Sequence, residues 1–145
     1  MLWFSKGKGE REEVWDEHIE WPIGDIEAGR RIRVICRSAA DSAMRIGSLS
    51  NGAHNKKSDN NKNKHATERY QRAARAAMLI ATKISDDLLR DSAMREMVGL
   101  CLKANDTNTA RPLFRAIHAV SIREDVLKDH PALRNEQQRA ALPII

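Results

Sequence analysis

Aromatic residues make up only 4% of the 145-residue chain: three tryptophans, two phenylalanines and one tyrosine. A core with so few rings has to be built from Ala, Leu, Ile, Met and Val, and alanine lets helix axes approach closely. The β-branched and aromatic runs that strands need are scarce. Two cysteines, Cys36 and Cys101, stand far apart on apolar stretches and read as buried free thiols, too few for a disulfide framework. No close cysteine pair offers a structural zinc site, and no two of the five histidines flank a carboxylate as on a zinc-protease helix. His18, among Asp16, Glu17 and Glu20, reads as part of a solvated acidic face. A glycine-rich phosphate loop and a nucleophile elbow are also missing. No apolar run approaches the roughly 20 residues that span a bilayer. Met1-Leu2-Trp3-Phe4 is too short for a signal-peptide core. These absences point to a cytoplasmic, non-enzymatic protein with no metal, no cofactor and no membrane partner.

Charge is present in quantity and unevenly placed. The net charge is +5, yet residues 1–28 carry three basic and eight acidic side chains, a net of −5. Residues 29–83 carry thirteen basic and three acidic side chains, a net of +10, and the remainder is neutral. An anionic partner would meet the middle, and the acidic head and basic middle can attract each other within one molecule or between two.

Apolar periodicity predicts an all-α fold, a small bundle of about five helices. Residues 1–24 form an acidic, Trp-rich N-terminal segment, and residues 25–145 form a single helical domain. Glu10 to Trp21 is compatible with a short helix, the favoured reading, or with a strand, before Pro22 and Gly24 break the pattern. Asp25 is a plausible N-cap for a helix reaching about Leu49, with Ile32, Ile35, Cys36, Ala39, Ala43 and Ile46 inward. Residues 50–65, SNGAHNKKSDNNKNKH, have no large apolar side chain and read as a flexible basic loop. A helix follows from Ala66 to Ile84. Ser85 caps the next, about 86–104, which is apolar almost all round and expected at the centre. After a turn at Asn105-Asp106, Thr109 caps a helix carrying Pro112 in its first turn and running to His130-Pro131. A short helix over about 132–141 precedes the apolar end.

Two internal echoes stand out. Asp41-Ser42-Ala43-Met44-Arg45 recurs letter for letter at Asp91 to Arg95, within surroundings that do not match. Ile84…Leu89-Arg90-Asp91 is echoed by Ile117…Ile122-Arg123-Glu124 at an offset of 33, a period typical of helix-hairpin repeats. Met94, Met97, Val98 and Cys101, followed by Ala110, Phe114 and Ile117, resemble one degenerate tetratricopeptide-type unit. That resemblance covers roughly residues 73–127 and implies a peptide- or protein-binding scaffold without chemistry of its own. Arg111 to His118 and Arg123 to His130 each place six residues between Arg and His, a spacing that resembles HEPN-type ribonucleases. In that family the pair acts on the 2′-hydroxyl and the scissile phosphate. Pro112 and Glu124 depart from the small polar residue that usually follows the arginine.

Two sets of candidate binding residues remain. Leu2, Trp3, Phe4, Trp15 and Trp21 gather the large anchors at one end of the chain, and tryptophan often dominates interfaces. They point to a helical adaptor that engages another protein, or a second copy of itself. Arg30, Arg33 and Arg37, with Lys56, Lys57, Lys62 and Lys64 and then Arg72 and Arg75, form the alternative set. These residues suit salt-sensitive contacts with nucleic-acid phosphates, with only Tyr70 nearby for base stacking.

Overall fold

In the computed structural model, which describes residues 12–49 and 57–134, the chain is a bundle of α-helices, and no strand occurs among the described residues. The helices are α1 (Asp25–Leu49), α2 (Lys57–Ala81), α3 (Asp87–Lys103), α4 (Thr107–Arg115) and α5 (Val120–Asp129), preceded by a 3-10 turn at Val14–Asp16. The expected all-α bundle is therefore present.

α1 and α2 form an antiparallel hairpin. Small residues make their seam: Ala39, Ala43, Ala73 and Ala77 are each fully buried, which allows the axes to come close. Arg45 Nε donates to Asn63 Oδ1 at 2.8 Å, near the hairpin's closed end. α3 runs parallel to α1 and is pinned to it at both ends. The Asp25 carboxylate accepts from Ser85 N and Asp86 N at 3.1 and 2.9 Å, just ahead of α3. At the other end a Cβ on Gly47 would lie 2.2 Å from the Lys103 carbonyl oxygen, so only glycine permits this backbone approach. α3 also packs on α2, α4 and α5, and its Val98, Leu100 and Cys101 are among the most buried side chains. Each such aliphatic burial stabilises by about 1.5–3 kcal/mol.

The α3–α4 connection is a Schellman turn. Asn105 takes φ 57°, Asn105 N donates to Leu102 O and Asp106 N donates to Cys101 O. Asp106 then caps α4 by accepting from Thr109 N at 3.2 Å, and its other oxygen accepts from the buried Tyr70 hydroxyl at 2.6 Å.

Several expectations require correction. The proposed loop over 50–65 extends too far, because α2 already begins at Lys57 and takes in residues 57–65. Extending an existing helix costs far less than nucleating one, so polar residues that bury little can still be helical. Residues 50–56 lie outside the described residues. Between Glu12 and Gly24 there is neither the favoured helix nor a strand, only the three-residue turn. Asp25 is the first residue of α1 and spends its carboxylate on the start of α3. The cap of α3 is Asp86, accepting from Leu89 N, not Ser85. Thr109 lies inside α4, whose cap is Asp106, and Pro112 falls in the helix interior. The helix expected to reach His130 is broken at residues 116–119 into α4 and α5. The repeated pentapeptide packs in two registers, with Asp41 exposed and Ser42 buried in α1 but Asp91 buried and Ser92 exposed in α3. The proposed helix over 132–141 falls largely on residues beyond those described.

Candidate interaction site

Oppositely charged stretches of one chain should close on each other when the geometry allows, and here they do. The segment from Glu13 to Asp16 lies along α2. Arg69 Nε donates to Glu13 Oε1 at 2.8 Å, and Arg72 is paired with Asp16. The Arg69 guanidinium also donates to Ser42 Oγ at 2.6 Å and sits 5.0 Å from the centroid of the Trp15 ring. Arg69 therefore joins the N-terminal segment, α1 and α2. Residue spacing alone did not single it out; the only signal was the opposite charge of the two regions.

Trp15 goes inward. It belongs to the hydrophobic core, and its indole Nε1 has no hydrogen-bond partner among the described residues. Trp15, named among the partner-binding candidates, is thus mostly covered by the fold of its own chain and leaves only an edge at the cleft described next. Trp21 is different, with 42% of its surface exposed. Leu2, Trp3 and Phe4 lie outside the described residues.

Between this segment and the α1–α2 hairpin runs a cleft of about 470 Å³. Trp15, Ile19 and Trp21 form one wall, and Val34, Leu79 and Ile80 contribute to the other. A shallower depression shares Trp15, Asp16, Ala76 and Leu79 with it and continues over Met78 towards Arg72 and Arg75. Leu79 is 60% exposed and Met78 40% exposed, so the surface is open and apolar. Its charged groups are largely paired. Arg30 is held by Glu27 at 2.8 and 2.5 Å, and Arg31 reaches the same carboxylate at 3.0 Å. Hydrogen bonds from Arg30, then Arg31, hold the Glu27 carboxyl down at about 2.

The basic candidate set is divided by the fold. Arg30 and Arg72 are in ion pairs, and Arg75 borders the shallow depression. Arg33 is exposed on α1, while Arg37 faces a different cleft formed with α3 and α5. Lys57 opens α2, Lys62 and Lys64 are exposed near its start, and Lys56 is outside the described residues. They do not form one continuous stripe.

The two Arg/His pairs have structural surroundings. Arg123 donates to Phe114 O and Ile117 O and lies 4.6 Å from the Phe114 ring centroid. The backbone N–H groups of His118 and Ala119 donate to Asp91 Oδ2 at 3.0 and 2.9 Å. Asp91 is almost fully buried and supplies the start of α5 with the cap that Ala119 lacks. His130 ends α5. No group of three or more His, Cys, Asp or Glu side chains that could hold a metal ion occurs among the described residues. No helix among them is long and apolar enough to cross a membrane.

Burial pushes the Cys36 thiol up to about 12 and the Cys101 thiol up to about 11, which keeps both neutral and unreactive near pH 7. Comparison with protein-family models gives no match, and comparisons with curated proteins and with solved structures give none either.

Proposed function

We propose that this chain is a helical interaction module that docks another protein through the cleft between its N-terminal segment and the α1–α2 hairpin. The observation that carries this reading is the exposure of Trp21, Leu79 and Met78 around a preformed apolar cleft. Large apolar side chains gathered at a concavity gain free energy when a partner covers them, on the order of 1–3 kcal/mol each. Tryptophan and its neighbours often supply most of an interface's affinity. The partner's matching feature is one or two apolar anchor side chains.

Leu79→Glu and Trp21→Ala test the reading. Both side chains are exposed, so circular dichroism should show the fold retained. Pull-downs from nuclease-treated lysate should lose the partners captured by the native protein. Capture at the native level by both variants would refute the assignment. If the partner is a second copy, the same variants should shift the species in light scattering towards monomer.

A second reading, contact with nucleic acid, is favoured by exposed Arg33, Arg37 and Arg75, for which no acidic partner is found among the described residues. It predicts retention on DNA or RNA that falls steeply with salt. Absence of retention at low salt would remove it.

A further inference from the structure

A second cleft, of about 510 Å³, lies between α1 and α3 and is closed by the end of α5. It is separate from the docking cleft in residues and in chemistry. Arg95, Gly99 and Lys103 follow one another at intervals of four on α3 and therefore lie along one face of that helix. All three line the cleft, and a Cβ built on Gly99 meets nothing within 4 Å. The gap in the middle of this cationic row is what leaves the space open. Arg37 enters from α1, and the buried Cys36, Leu100 and Val126 lie beneath the floor.

Arg95 is paired with Asp125 and Asp129, but two other cations of the cleft lack such a partner. Arg30, Arg69, Arg72 and Arg90 each have a carboxylate partner at close range. Arg37 and Lys103 have none among the described residues, although Glu96 lines the same cleft. Asp129 also lines it and is held loosely by Arg95, at 3.7 Å. Glu96 and Lys103 thus place a carboxylate and an ammonium in the lining of one cleft. A mainly polar cavity with two cations lacking a close carboxylate and with Glu96 as an acceptor matches a ligand that carries an anionic end and donor groups.

We propose that this α1–α3 cleft binds a phosphorylated, hydroxyl-bearing small molecule of mononucleotide size. Arg37 and Lys103 receive the phosphate. Glu96 accepts from a hydroxyl or amino group. The volume suits one such molecule and far exceeds a lone phosphate ion.

Isothermal titration of the purified full chain with adenosine 5′-monophosphate and with inorganic pyrophosphate tests this, with a single-stranded oligonucleotide as a third arm. The expected result is saturable binding of the mononucleotide at micromolar to low-millimolar concentration. R37Q combined with K103Q should weaken it by roughly tenfold per lost charge. Gly99→Leu, which meets no atom at the first carbon, should abolish it by filling the space. Circular dichroism establishes that each variant is folded. Leu79→Glu, on the other cleft, should leave the titration unchanged. Absence of saturable binding by the native chain overturns the proposal. So does binding that survives both cleft variants, or binding of the oligonucleotide alone.

Discussion

Replacing Asp91 by alanine removes a carboxylate that is 1% exposed and holds the turn between α4 and α5. Its Oδ2 accepts two backbone N–H groups, at 3.0 and 2.9 Å. Hydrogen bonds to a charged group are worth about 1.5–3 kcal/mol each, so about 3–6 kcal/mol of favourable interaction is lost. Part of this is returned, because burying a carboxylate is itself unfavourable and Oδ1 has no partner among the described residues. The net loss expected for Asp91→Ala is about 2–4 kcal/mol. Asp91→Asn keeps an acceptor oxygen but not its charge, and should lose about 1–2 kcal/mol. For a domain of this size the alanine variant should melt roughly 10 °C lower. Urea unfolding followed at 222 nm gives the free energy directly, and an unchanged m-value would show that the same surface is exposed. An alanine variant within about 1 kcal/mol of the native protein would refute the assignment of Asp91 as the cap of α5.

Two glycines should respond in opposite directions. Gly47→Ala forces a methyl group onto the Lys103 carbonyl and should cost about 2 kcal/mol or more, whereas Gly99→Ala meets open space and should gain about 0.5–1 kcal/mol; parallel thermal melts check both. The carboxyl of Glu27 is lowered from 4.5 to about 2, so its contribution is present above pH 4.5 and is lost as the pH falls towards 2. Glu27→Gln should flatten that part of the acid-stability curve, and an unaltered curve would count against the Arg30 and Arg31 contacts. Cys36 is raised from 9.0 to about 12, so the folded state keeps its advantage below pH 9 and loses it as the pH rises towards 12. Both thiols should therefore resist a thiol-reactive dye at pH 8 until denaturant is added, and rapid labelling of the native protein would contradict their burial.

Periodicity exposed the parts of the fold in which neighbours along the helix face decide burial. The inward stripe from Ile32 to Ala43, the small face of α2 and the Asn105-Asp106 turn all follow from spacing and turn chemistry. The break at residues 116–119 does not. It is held by groups distant in sequence: Asp91 takes the N–H groups of His118 and Ala119, and Arg123 takes the carbonyls of Phe114 and Ile117. The start of α2 was hidden for a similar reason, because Asn63 becomes compatible with helix once Arg45 meets its side chain. At the candidate site, Trp21 could be picked out from composition. Its partner residues Leu79 and Met78 could not, since they sit outside the buried stripe of α2 and gain meaning only beside the N-terminal segment.

The fastening of α1 to α3 has a consequence for how the two hollows respond to what enters them. Asp25 grips the approach to α3 and Gly47 lets the far ends touch through the main chain. A trough walled by two rods clamped at each end holds its shape before a guest arrives, which favours selection by size. The wall bearing Trp21 is anchored differently, through the buried Trp15 and the half-buried Arg69–Glu13 pair, with the more exposed Arg72–Asp16 pair as the contact that ionic strength weakens.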